Sequence, residues 1–261
     1  MSKKTIILFL FVLPSLSVAQ FFKDAEHFLG TGKDLSLAIW KSDTQSRLYF
    51  LAGTAGIIGL SFLDEGVQDY ALSHRSPFKN DLFKIDDYYG NKWYMIGGMG
   101  AIYFGGLLTG HEKIRETGLL TAEAYFYTAV LTVVTKEIFG RSRPYLEDGP
   151  YTFNPFSFKE SKRSFFSGHS STVFAVSTVM ASRIDNVFWK TGWYTAAVLT
   201  GTARMYHDKH WLSDVTAGAI VGCLIGNFVV KNNDSGSKRT QLIQGMNENQ
   251  NLLIGFRIQL N

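Results

Sequence analysis

Three short stretches hold most of the side chains able to do chemistry, and all three are rich in cations or imidazoles. The first, Lys136 to Pro144, places Lys136 seven residues before Arg143, and Pro144 stops any helix there. A Lys on a last helical turn and an Arg in the irregular stretch after it can converge on one oxyanion, the Lys as a point charge and the Arg as a two-pronged fork. The same cations could instead neutralise a helix C-terminus. The second stretch, Ser164 to Thr172, contains Ser167-Gly168-His169 and leads into an apolar segment. Ser170, Ser171 or Thr172 can cap that helix. Free backbone N–H groups around Ser167, Gly168 and His169 would face a bound anion, which Gly168 allows to approach closely. A capped helix with an incidental histidine is the plainer reading. In the third stretch, Arg204 to Asp214, His210 and Asp214 lie four apart, so on a helical turn the carboxylate meets the imidazole. A carboxylate on one ring nitrogen leaves the other as a nucleophile, with Arg204 beside it as a further cation. A metal held by His207, His210 and Asp214 is the competing reading, opposed by clustered Lys and Arg that would repel a divalent ion.

Taken together, Lys-x6-Arg-Pro, Ser-Gly-His and Arg-x5-His-x3-Asp, in that order at the ends of apolar segments, resemble the signature of the type 2 phosphatidic acid phosphatase superfamily. That superfamily also includes secreted bacterial class A acid phosphatases, glucose-6-phosphatases and vanadium-dependent haloperoxidases, and the resemblance covers about residues 48–230. It implies that Lys136, Arg143 and Arg204 hold the phosphoryl oxygens, with further hydrogen bonds from Ser167 and Gly168. It also implies that His210 attacks phosphorus, that Asp214 orients His210, and that His169 protonates the departing alkoxide, with no metal and no cofactor. His207 has no family role at its position. Two positions depart from the pattern: Phe166 stands where proline is common, and Ala203 where serine is common. Neither change removes a charged or acid–base group. Concentrated positive charge without a metal suits a transition state whose charge is spread over three equatorial oxygens.

Six apolar segments must position these residues: 48–63, 93–108, 119–134, 171–184, 193–206 and 215–230. Each is too long for a strand and carries the scattered small residues that close helix packing needs. The expected fold is all-α, a single bundle of about six apolar helices over residues 48–230 with the active site at the helix ends. Most segments are shorter than the roughly 20 residues of a bilayer span, and Glu123 sits in the middle of one. A buried bundle and a six-span membrane protein both fit. The stretch 64–92 reads as a surface excursion with short amphipathic helices and no chemistry. Residues 231–261 read as a polar turn and a small C-terminal β-hairpin, from the alternation at 255–261.

The chain begins with Lys3 and Lys4, an apolar run and the small residues Ser17 and Ala19, a pattern expected of a signal peptide over residues 1–19, followed by an N-terminal amphipathic segment at 20–47. Of its 261 residues 46% are hydrophobic and only 18% charged, so there is much apolar helix to hide. The net charge of +4 falls to +2 without Lys3 and Lys4, which gives nucleic-acid binding little support. A lone cysteine, Cys223, excludes an internal disulfide and reads as a small core residue.

These features predict an exported, membrane-associated phosphomonoesterase of the periplasm, or an integral inner-membrane one. Its substrate is expected to be a phosphorylated lipid: phosphatidic acid, a prenyl diphosphate or a lipid A type phosphate. A broad-specificity periplasmic acid phosphatase acting on small phosphomonoesters is the alternative. A vanadium-dependent haloperoxidase and a non-catalytic phospholipid binder fit less well, since a binder needs the cations but not both histidines.

Overall fold

A computed structural model describes residues 3–246 and 252–258 of the chain, with side chains over 18–38 and 40–234. The helices are α1 (Lys3–Trp40), α2 (Thr44–Ser61), α3 (Asp64–Ser73), α4 (Pro77–Leu82), α5 (Ile85–Tyr88), α6 (Lys92–Thr109), α7 (Glu112–Phe139), α8 (Gly168–Arg183), α9 (Val187–Tyr206) and α10 (Leu212–Arg239). The six apolar segments correspond to α2 and α6 to α10. Side-chain caps set several of their starts: Asp43 accepts from Ser46 N–H, Asn91 from Trp93 N–H and Asn186 from Trp189 N–H. Left-handed Gly110 and Gly140 end α6 and α7. No break in α1 marks the expected boundary between residues 19 and 20. Strands β1 (Thr240–Met246) and β2 (Leu252–Ile258) pair antiparallel from Thr240↔Ile258 to Met246↔Leu252. Gln259 to Asn261, part of the alternating stretch, lie outside the described residues.

Helices α7, α8 and α10 form the centre, around Leu120, Ala124, Ala175, Val179, Ile225 and Val229. Close approach of α8 and α10 depends on Gly218, Gly222 and Gly226, one every four residues along α10. A Cβ on these would lie 2.6, 2.2 and 2.8 Å from the carbonyl oxygens of Ser167, Ser171 and Ala175. Small residues at that spacing let two helix backbones touch. The contact matters for chemistry because Ser167-Gly168-His169 open α8 and Asp214 lies in the first turn of α10.

Small polar side chains share the interior with this core, and large apolar ones face outward. Thr128, Thr132, Ser170, Ser171, Ser177, Thr178 and Thr200 are buried, whereas Phe126, Val130, Val133, Val134 and Ile138 of α7 face outward. By length and composition, α7 and residues 212–234 of α10 can each cross a membrane, and α2 with α3, bent by 50°, gives a third candidate. Glu123 faces inward, where His27 Nδ1 of α1 lies 2.8 Å from its Oε1. Asp24 of α1 pairs with Arg115 and accepts from the Tyr103 hydroxyl at 2.8 Å. Helix α1 is thereby tied to the half of α7 remote from Lys136.

The α8–α10 contact yields a first prediction. Gly222→Ala should lower stability by about 1–3 kcal/mol, because its new methyl meets a backbone carbonyl that cannot rotate away. Gly97→Ala in α6, where a Cβ meets nothing within 4 Å, is the control expected to melt as the parent does. Thermal melting in detergent compares them, and equal melting of the two variants would contradict this packing.

Candidate active site

The C-terminal ends of α7 and α9 and the N-terminal ends of α8 and α10 meet on one side of the bundle. After Gly140 the chain turns so tightly that a Cβ there would lie 1.8 Å from the Asn154 carbonyl oxygen. Cross-links pin the loop that follows: Ser142 N–H to Thr152 O at 2.9 Å, Arg143 N–H to Ser161 O at 3.0 Å, and Ser164 N–H to Arg141 O at 3.0 Å. Arg143 is thereby delivered to the same side as Lys136.

Ser167 is the residue that caps α8, its hydroxyl accepting from Ser170 N–H at 3.4 Å, which corrects the expectation that Ser170, Ser171 or Thr172 would do so. The Ser167 N–H is also committed, donating to the Asp214 carbonyl at 3.0 Å. Of the three backbone donors expected to face an anion, Gly168 and His169 remain free among the described residues. Gly168 packs close to Lys136, whose Nζ would lie 4.0 Å from a Cβ at that position.

His210 precedes α10 and is almost fully buried. Its Nδ1 lies 3.4 Å from the Ser164 hydroxyl and 3.6 Å from Asp214 Oδ2, so the carboxylate orients the ring partly through Ser164, which itself donates to Oδ2. The expected helical turn joining the two is absent. Asp214 instead reaches back from the first turn of α10 to accept from Trp211 N–H at 3.1 Å, in the manner of a capping box. Nδ1 faces these partners, and Nε2 is the nitrogen left for the cation cradle.

Sequence reasoning missed the groups that hold this apparatus. Arg141 donates to Asp214 Oδ1 at 2.6 Å, Asp64 Oδ2 at 2.7 Å, Ser213 Oγ at 2.8 Å and Pro150 O at 2.7 Å. Asp64 comes from the stretch to which no chemistry was assigned. From the same stretch, Asp86 Oδ2 accepts from Arg204 Nη1 at 2.8 Å and lies 3.2 Å from His207 Nδ1. His207 thus faces Asp86, while His210 and Asp214 face Ser164 and Arg141, and the three proposed metal ligands do not share a centre.

The cradle cations differ in how far they are neutralised. Arg143 pairs with the exposed Glu160, and Lys136 has no ion-pair or hydrogen-bond partner among the described residues. The Nε–H groups of both Arg143 and Arg204 are buried without an acceptor. Unpartnered buried donors of one sign, converging beside two free backbone N–H groups, are a site for an oxyanion.

Residues 117–235 match the model of the PAP2 superfamily. That segment belongs to the PAP2 superfamily. Two curated relatives are both named lipid A 1-phosphatase. The one from Porphyromonas gingivalis is 36% identical over 95 residues, covering 36% of this chain and 18% of the relative, and the one from Rhizobium etli is 31% identical over 123 residues, covering 44% and 52%. The chain thus spans about half or less of the length of these relatives. In fold it is similar to a transmembrane PAP2 type phosphatidylglycerolphosphate phosphatase from Bacillus subtilis, with a TM-score of 0.55 and 23% identity over 84% of this chain and 98% of that one. The match to the PAP2 model begins beyond α6, so Asp64, Asp86 and Gly90 lie outside it.

Burial and charge at this site act on both imidazoles. Burial, then the charges of Arg204, Lys136 and Arg143, hold His169 down at about 3 against the opposing pull of Asp86. Burial, then Lys136, Arg143, Arg204 and His169, hold His210 well below its ordinary 6.5. An unfolded chain protonates both near 6.5. Below that pH the unfolded state binds more protons, so the stability supplied by two neutral imidazoles is complete above about 6.5 and is lost as pH falls. Orthovanadate, an anion, should offset the opposing cations. The melting temperature of the free protein should therefore drop between about pH 7 and pH 5, less steeply with vanadate and less steeply in His169→Gln. An identical slope in all three would remove His169 from this account.

Proposed function

We propose that the protein is a metal-independent phosphomonoesterase that works through a phospho-histidine intermediate on a phosphorylated lipid. The observation that carries this reading is the set of buried, unpartnered cationic donors beside an imidazole whose other nitrogen is occupied by Ser164 and Asp214. Lys136, the Arg143 and Arg204 guanidinium groups and the N–H groups of Gly168 and His169 hold three phosphoryl oxygens. His210 Nε2 attacks phosphorus as the bond to the ester oxygen breaks, and His169 gives that oxygen its proton. Neutral His169 then takes a proton from water, whose oxygen displaces His210 and leaves inorganic phosphate.

The depressed titration of His169 fits this cycle once the substrate is counted. With the cradle empty, burial and three cations together expel the proton, and a phosphate dianion reverses the sign of the local field. Substrate and proton therefore arrive together, and the acid is charged when a leaving group is present. A phosphorylated lipid is the favoured substrate because the cradle lies at one end of a bundle with many exposed apolar side chains, and because the curated relatives carry the name lipid A 1-phosphatase. A site on the outer side of the membrane, as expected of an exported protein, is part of this reading.

Phosphate release by the detergent-purified protein in EDTA tests the proposal, comparing a lipid phosphate in mixed micelles with p-nitrophenyl phosphate. Turnover should persist in chelator and favour the lipid, and His210→Ala should lower kcat by about 10³-fold or more. His169→Ala should accumulate an acid-labile, alkali-stable phosphoenzyme on substrates whose leaving group needs protonation. Activity lost in EDTA and restored by zinc or magnesium would defeat the metal-free scheme. Comparable rates on both substrates would point to a broad acid phosphatase.

A further inference from the structure

Helix α5 and the residues after it cover the site from a part of the chain outside the PAP2 match. Asp86 is buried at 2% exposure. One of its oxygens, Oδ2, serves both Arg204 Nη1 at 2.8 Å and His207 Nδ1 at 3.2 Å, while Oδ1 is buried with no partner. Four residues on, Gly90 lies so close to the second-motif imidazole that a Cβ would stand 2.4 Å from His169 Cδ2 and 2.9 Å from the Asp86 carbonyl oxygen. One short segment therefore grips a cradle arginine with its carboxylate and bounds the general-acid imidazole with its backbone.

A carboxylate beside an anion site needs a reason. By charge alone Asp86 repels the phosphoryl group, and a buried carboxylate is costly to desolvate. Its return is geometric, since a guanidinium anchored through one Nη by a fixed carboxylate has its remaining N–H groups aimed in one direction. The buried, unpartnered Nε–H of Arg204 is one of those aimed groups.

We propose that Asp86 is a positioning residue for the phosphoryl-transfer site, fixing Arg204 so that its free N–H groups meet the phosphoryl oxygens. This rests on the phosphatase reading only in taking the cradle to hold those oxygens. Asp86 touches no reacting atom; it acts through Arg204, and His207 shares its Oδ2 as a second anchor.

The sign of one measurement separates positioning from simple charge. Orthovanadate is titrated calorimetrically into the full-length protein in detergent, using the parent, Asp86→Asn, Arg204→Ala and the double variant. Removal of an opposing charge alone would tighten vanadate binding in Asp86→Asn. Positioning predicts the reverse, a weakening of about tenfold or more, because small misplacements of a binding group are expensive. In the Arg204→Ala background the same substitution should leave binding unchanged or tighter, since there is no longer an arginine to hold. Asp86→Glu, which keeps the charge and moves the carboxylate by one methylene, should also weaken binding and serves if Asp86→Asn does not fold. Tighter binding in Asp86→Asn, or equal weakening in both backgrounds, would overturn the proposal. If the parent binds vanadate but hydrolyses no ester, the phosphatase reading fails and the cycle still decides the role of Asp86. A parent that binds no vanadate overturns both.

Discussion

Everything at the catalytic end is organised by the burial of Arg141 between two carboxylates. Its guanidinium joins Asp64 at the start of α3 to Asp214 in the first turn of α10, its Nε–H donates to the Pro150 carbonyl, and its backbone carbonyl accepts from Ser164 N–H. Removing one partner from such a cluster leaves an uncompensated buried charge, at a cost of about 3–5 kcal/mol, so the cluster strongly constrains geometry even where it adds little net stability. Three separated parts of the chain are held in one arrangement by four hydrogen bonds from one rigid plane. Asp214 is held in this way from both sides, by Arg141 on Oδ1 and by Ser164 and Trp211 N–H on Oδ2.

The four basic groups near the site form a graded series of neutralisation. Arg141 is balanced by two buried carboxylates, Arg204 by one shared with His207, Arg143 by an exposed one, and Lys136 by none among the described residues. Solvent screens an exposed pair such as Arg143 with Glu160, so that neutralisation is the easier to displace. Burial, and after it the charges of Lys136, Arg143 and Arg204, depress both imidazoles.

How much of this was legible in the sequence depended on the distance between partners. Lys136, Arg143, Ser167-Gly168-His169, Arg204, His210 and Asp214 lie at fixed offsets from apolar segments, so the end of the bundle they share could be read directly. Their finer contacts could not. A helix cap slides by three residues at no compositional cost, which is why Ser167 and not Ser170 to Thr172 holds it, and an i, i+4 pair fits a capping box as well as a helical turn. Asp64 and Asp86 left no signal, because Arg141 and Arg204 stand 77 and 118 residues away from them. In a stretch rich in Asp, Lys and Tyr, two buried carboxylates look the same as solvated ones.

Glu123 shows how a residue's meaning depends on its face more than on its segment. A carboxylate in the middle of an apolar run counts against a membrane crossing when the run is scored as a string. In the fold it lies on the inward side of α7, fully buried and engaged by His27, while Phe126, Val130, Val133 and Val134 occupy the outward side. A membrane-embedded helix can carry a charge at modest cost when that charge faces the bundle interior and finds a partner there. The partner comes from α1, at the end of the bundle remote from the site. The buried ionisable groups therefore form two clusters, Asp24, His27, Arg115 and Glu123 in the half of α7 away from Lys136 and the cationic cluster at its other end, with exposed apolar side chains between them. A lipid bilayer matches that distribution better than water does.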